Sequence, residues 1–213
     1  GTVVFIFQPA EEGGAEGEEG GAQLMVKEGV LTNPKPDLIL GFHTNGAPPD
    51  AEGDDEVLGK ASYTPGPAMA SASKWTAHVI GRQAHGAYPQ LGIDAIVTAS
   101  QVVVALQTIH ARNLSPFTPS VLTTGVFRAG DRNNIVAGDA YLEGTVRTFD
   151  DSIMATIQRR MREVFDGVTR SAEATYTLEF SQPYPVTFND TALATRFRPV
   201  LERVFGADHI RRA

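Results

Sequence analysis

The sequence predicts an α/β fold that contains a self-contained α+β unit over residues 71–185. Three observations predict it. Near the start, two short apolar runs each open into a polar or glycine-rich loop, as strands of an open α/β sheet do at their carboxyl ends. From residue 71 the apolar periodicity switches between 2 and 3.6 in the order β-α-β-β-α-β. The charge changes at the same place. Residues 1–70 hold 12 acids against 3 bases, net −9, while residues 71–213 hold 13 against 15, net +2.

Each element follows from local chemistry. Thr2-Val-Val-Phe-Ile-Phe7 is largely β-branched or aromatic and reads as a buried strand, which Pro9 ends because proline cannot donate to a ladder. Asp37-Leu-Ile-Leu-Gly-Phe-His43 reads as a second strand, set off by the turn Asn33-Pro34-Lys35-Pro36. Lys74–Gly81 alternates like a strand, with His78 on a sheet face. Residues 93–112 contain no glycine or proline, and this length outweighs the β preference of Val102-Val103-Val104 and predicts a helix. Ser120–Phe127 and Asp139–Phe149 are strands joined by a turn over 129–134. Asp150-Asp151-Ser152 caps a helix. Its Ile153, Ile157, Met161, Val164, Phe165 and Val168 form one apolar, core-facing stripe. Thr175–Phe180 closes the unit, and Asn189-Asp190 starts a last helix reaching about Phe205. The order is a split βαβ of ferredoxin-like type: a four-stranded antiparallel sheet with two helices on one face.

The candidate chemistry sits where the first two strands end. Glu11-Glu12 follows the first strand, and adjacent acids that repel each other are stabilised by a bound cation. Read alone, the glycine-rich stretch that continues through Glu16, Glu18 and Glu19 is equally a solvated acidic turn. Its spacing does not match a calcium loop. The second strand ends on His43. Two parallel neighbours would bring Glu12 and His43 to one sheet edge, and carboxylate plus neutral imidazole is an ordinary zinc ligand pair with a second carboxylate at hand as general base. His85, in Arg82-Gln-Ala-His-Gly-Ala-Tyr-Pro89, reads on its own as a surface-loop residue. His110 and His209 read as surface residues, and Arg147 as a strand residue suited to an ion pair.

A longer pattern runs through the chain. It comprises Gln8-Pro-Ala-Glu-Glu-Gly13, Gly21-Ala22-x-x-Met25-Val26-x-x-Gly29-Val30, Gly41-Phe-His43, Gly66-Pro67-x-Met69-Ala70 and Gly81-Arg82-x-x-His85-Gly86-Ala87-x-Pro89. Asp94-Ala-Ile96, Leu106-Gln-Thr-Ile109, Asn134-Ile-Val136, Gly144-Thr-Val-Arg-Thr148 and Tyr184-Pro-Val186-x-x-Asn189-Asp190 complete it. In this the chain resembles the co-catalytic zinc amidohydrolases, the aminoacylase, hippurate hydrolase and indole-acetyl-amino-acid hydrolase group of metallopeptidases.

The resemblance implies roles. Glu11 would be the general base for the hydrolytic water, and Glu12 and His43 would be metal ligands. His85 would reach the active site of the partner subunit and stabilise the oxyanion. Asn134 would hold the substrate's carboxylate end or its scissile carbonyl. The cofactor implied is a divalent metal, two zinc ions in the complete protein, with manganese, cobalt and nickel also suited to such ligands. Residues 1–70 and 186–213 would be two pieces of a zinc-exopeptidase-like α/β catalytic domain, and 71–185 an inserted lid that pairs sheets edge to edge in a homodimer. Two local departures stand out: Ala137 replaces the usual proline after Asn134-Ile-Val, and Thr44-Asn-Gly-Ala47 replaces an aromatic and a proline after His43. The family's earlier His-x-Asp, His-x-His or Cys-x-His ligands and its late His have no counterpart, so the expectation is an internal fragment with about half of a binuclear site.

Composition fits a soluble globular chain, at 42% hydrophobic and 20% charged, and the expected location is cytoplasmic. No apolar run approaches the roughly 18 residues of a membrane span, the basic residues are scattered and not clustered, which argues against nucleic acid, and zero cysteines exclude disulfides. Three functions follow. The first is metal-dependent hydrolysis of N-acyl amino acids or related conjugates, with a fragment itself inactive. The second is a non-catalytic binding and dimerisation module. The third is a carboxypeptidase or dipeptidase of the same superfamily.

Overall fold

The computed structural model describes residues 1–10, 21–43, 60–181 and 184–212. The chain divides into two compact units, Gly1–Asp54 and Asp55–Ala213.

Among its described residues the first unit holds one short helix, α1 (Gly21–Lys27). The helix stops where Gly29 takes a φ of 89° and the Val30 amide turns back to donate to the Met25 carbonyl at 3.0 Å. The strands expected over 2–7 and 37–43 are not formed: neither run pairs with another strand among the described residues. Val3, Phe5 and Phe7 lie 75%, 79% and 87% exposed, and Ile39 and Phe42 62% and 77%, so these runs are not buried as sheet strands would be. The physical reason is that a strand is completed by a neighbour's amides and carbonyls. An apolar run encodes a preference for burial between neighbours and does not supply them. Among the described residues His43 therefore ends no paired strand, and Glu12 lies outside them.

The second unit begins with three short strands and one long one. β1 (Ala61–Tyr63), β2 (Gly66–Met69), β3 (Ser71–Ile80) and β4 (Ala84–His85) are followed by α2 (Ala95–Thr108). Next come β5 (Ser120–Ala129), β6 (Ile135–Val136), β7 (Asp139–Thr148), α3 (Asp151–Ser171) and β8 (Thr175–Phe180). β9 (Thr187–Asn189), α4 (Thr191–Phe205) and β10 (Ile210–Arg212) complete it. The main sheet has strand order β5-β7-β3-β8, antiparallel throughout. This is the split βαβ expected from the sequence, and the fold is α/β. β1 runs parallel to β10, and β2 antiparallel to β9, so residues 61–69 are tied to residues 187–212.

The core lies between the sheet and helices α2 and α3. Trp75, Ala77 and Val79 alternate inward along β3 and meet Val102, Leu106, Ile157, Met161 and Phe165, all at 1% exposure or less. Side-chain caps start both helices. Asp94 accepts from the Ile96 and Val97 amides, and Asp150 from those of Ser152 and Ile153. The valines at 102–104 are helical, as the length of the run requires. Gly144 is where the main chain passes closest to the core. A Cβ there would come within 2.6 Å of the Trp75 indole and 1.9 Å of the Thr123 carbonyl oxygen.

Candidate active site

The loop that carries His85 is built by backbone hydrogen bonds. Its base is closed where the Gly81 amide donates to the Gly138 carbonyl at 2.9 Å, and where Arg82 and Ile93 exchange both amide–carbonyl bonds at 2.9 Å. Close approach requires glycine here, because a Cβ at Gly81 would lie 2.2 Å from the Ile93 carbonyl oxygen. Within the loop β4 pairs with β6, which sets His85 opposite Ile135. The Gly86 amide then donates to the Asn134 carbonyl at 2.7 Å, and the Tyr88 amide to the His85 carbonyl at 2.8 Å. The two site residues proposed from this half of the chain, His85 and Asn134, are thus brought to one corner. Both side chains are exposed.

The His85 ring has defined contacts. Its Nδ1 accepts from the Ala87 amide at 3.0 Å, and the Tyr88 ring lies 5.9 Å away between centroids. Sequence reasoning treated His85 alone as a surface-loop residue. The signal for its anchoring was the glycine spacing at 81 and 86 on either side of it.

The acidic half belongs to the first unit. The Gly21 amide donates to the Pro9 carbonyl at 3.0 Å, with Gly21 at a φ of 71° and Ala10 at 51°, so residues 9 and 21 are clasped. Glu11 and Glu12 follow Ala10 and lie outside the described residues. His43 is described and exposed. Among the described residues no group of three or more His, Cys, Asp or Glu gathers as a metal site. A carboxylate and an imidazole from this chain nonetheless suit a divalent cation by donor chemistry.

Other polar clusters on the second unit are electrostatic in character. On the open face of the sheet, Glu143 accepts from Tyr141 and pairs with Lys74 at 2.9 Å. These contacts, Tyr141 first, hold its carboxyl below the usual range and raise both partners. His78, placed on a sheet face as expected, meets Asp139 at 3.0 Å.

The sequence matches the family model described as peptidase family M20/M25/M40 over residues 1–213. The chain belongs to this family. It is 34% identical over 195 residues to an N-acetyldiaminopimelate deacetylase of Exiguobacterium sibiricum, covering 92% of this chain and 49% of the relative. It is 35% identical over 189 residues to an N-acyl-L-amino acid amidohydrolase of Geobacillus stearothermophilus, covering 89% and 47%. The chain thus spans about half the length of the curated relatives it matches. Among solved structures, one from methicillin-resistant Staphylococcus aureus named as an aminohydrolase superposes with a TM-score of 0.65 at 32% identity, over 72% of this chain and 40% of that one. An aminobenzoyl-glutamate utilization protein from Klebsiella pneumoniae, at 24% identity and a TM-score of 0.57 over 72% and 39%, shares the fold. Among the described residues of this M20-family chain, no helix is long and apolar enough to cross a membrane.

Proposed function

We propose that this chain is part of a metal-dependent amidohydrolase that cleaves the amide bond of N-acyl amino acids or related conjugates. Family membership and the deacetylase and amidohydrolase relatives support the reaction class. The observation that supports the reading at the residue level is the anchored corner, where β4–β6 pairing sets His85 opposite Ile135 and the Gly86 amide donates to the Asn134 carbonyl. Loops held on a rigid sheet are where catalytic donors need to be.

Glu12 and His43 would hold a divalent cation, which supplies a Lewis acid to polarise the amide carbonyl. Glu11 takes the proton of the attacking water and returns it to the leaving amine, a general acid–base role. His85, reaching the active site of a partner subunit, donates to the oxygen that gains negative charge, and Asn134 orients the substrate's carboxylate or its carbonyl. Proton and bond balance close within these groups: water adds to the carbonyl carbon, the C–N bond breaks, and a carboxylate and an amine leave.

A homodimer through residues 71–185 completes the proposal. β5 is a ten-residue edge strand with no charge over Ser120–Phe127, the kind of edge that accepts a second strand. Replacement Val121→Lys places a charge on that edge and is expected to shift the protein from dimer to monomer in sedimentation velocity. A wild type that sediments as a monomer at all concentrations would remove this part of the proposal.

The ligand pair is tested by metal content. At the relatives' full length, wild-type protein loaded with zinc and desalted is expected to retain it, and Glu12→Gln and His43→Ala each to lose most of it. Equal zinc in all three proteins would refute the ligand assignment. Substrate profiling with N-acetyl amino acids against dipeptides separates the amidohydrolase from a peptidase of the same family.

A further inference from the structure

His85 makes a contact that fixes where its proton sits. The Ala87 amide donates to Nδ1 at 3.0 Å. An amide N–H can only donate, so Nδ1 must present its lone pair, and the neutral ring carries its proton on Nε2. An unconstrained imidazole exchanges between its two tautomers, whereas this contact selects one. The surrounding loop has little freedom to undo it. Gly86 and Tyr88 make backbone bonds on either side, and a Cβ at Gly86 would sit 3.1 Å from the Asn134 carbonyl oxygen.

We propose that the Ala87 amide is a positioning group that holds His85 as the Nε2–H tautomer and so makes its outer nitrogen a hydrogen-bond donor. The ring then recognises an acceptor: a carboxylate, or a carbonyl oxygen that gains charge as water adds. In this state neither nitrogen presents a free lone pair to a metal. Nδ1 is occupied by the amide, and Nε2 already bears its hydrogen. The inference rests on the reading of His85 as a site residue, but the tautomer can be measured without any activity.

The experiment is nitrogen NMR of the 213-residue chain with 15N-labelled backbone and histidine, at about pH 8, above the ordinary imidazole range near 6.5. His85→Gln identifies the resonances. The expected result is a pyridine-type Nδ1, a protonated Nε2, and a through-hydrogen-bond coupling between the Ala87 nitrogen and Nδ1. A protonated Nδ1, averaged tautomers, or no coupling would overturn the proposal. Ala87→Pro removes the donor and is expected to return the ring to the tautomer mixture of free imidazole. An unchanged tautomer in a folded Ala87→Pro variant would also overturn it, and should that variant not fold, the wild-type coupling decides alone. If the tautomer is found but His85→Ala at full length hydrolyses N-acyl amino acids as fast as wild type, the catalytic reading fails and the positioning claim stands.

Discussion

Asp150 shows how one residue at an element boundary sets a pH dependence. Its carboxylate accepts from the Ser152 hydroxyl and amide and from the Ile153 amide, and these bonds, the hydroxyl first, hold it below the usual aspartate range. The folded value is lower than the unfolded one. The stability it contributes is therefore present above the ordinary aspartate pKa and is lost as pH falls through the folded value. Asp150→Asn keeps a capping oxygen but not the charge, so the variant is expected to lose less stability than wild type between neutral pH and about pH 3 in urea titrations. An acid limb of the same slope as wild type would contradict this. The second cap can be read as a magnitude. Asp94→Ala is expected to cost about 1 kcal/mol in the same assay, because two amides at the start of α2 lose their acceptor. The Asp150 cap is legible in the sequence, since an aspartate directly before a helical apolar pattern has few other uses, whereas Asp94 reads there only as part of the run 93–112. The contact that fixes the His85 ring is not legible, because a hydrogen bond from Ala87 to a ring two residues away leaves no trace in periodicity or composition, although the glycines at 81 and 86 mark the close-packed loop that carries it.

At the scale of elements, the central sheet and its two helices were readable because their burial signals are internal. The stripe of α3 needs only its own spacing to show which face is buried, and Ile157, Met161 and Phe165 occupy it. Phe165→Ala is expected to destabilise the chain by about 3–5 kcal/mol, since the ring is fully buried and stacks 5.2 Å from Tyr176. Gly144→Ala tests the tightest approach. Its new Cβ meets the Trp75 ring and the Thr123 carbonyl of the adjacent strand, neither of which can move alone. The expected result is a loss of at least about 1–3 kcal/mol, and a neutral substitution would contradict the packing of Trp75. The runs at 2–7 and 37–43 depart from expectation for the opposite reason. Their signal is external: apolar residues state that cover is wanted and do not supply the ladder partner. The small pairings β1–β10 and β2–β9 are equally hidden, since strands of three or four residues joined across more than 100 residues have no local pattern.

For the whole molecule, the chain carries an M20-family sequence throughout yet spans about half the length of its curated relatives. Two proposed ligands, Glu12 and His43, fall short of the four that a zinc ion ordinarily takes. The 213-residue chain, loaded with zinc and desalted, is therefore expected to retain well under one zinc. Close to two per chain would mean that further residues of this chain complete the site. The central claim, that Glu11 moves the proton while Glu12 and His43 hold the cation, is tested most directly by Glu11→Gln at the relatives' full length. Both metal content and turnover of an N-acetyl amino acid should be measured. The account predicts zinc equal to wild type with turnover reduced by about 10²–10⁴-fold. Turnover near wild type, or loss of zinc along with activity, would contradict it.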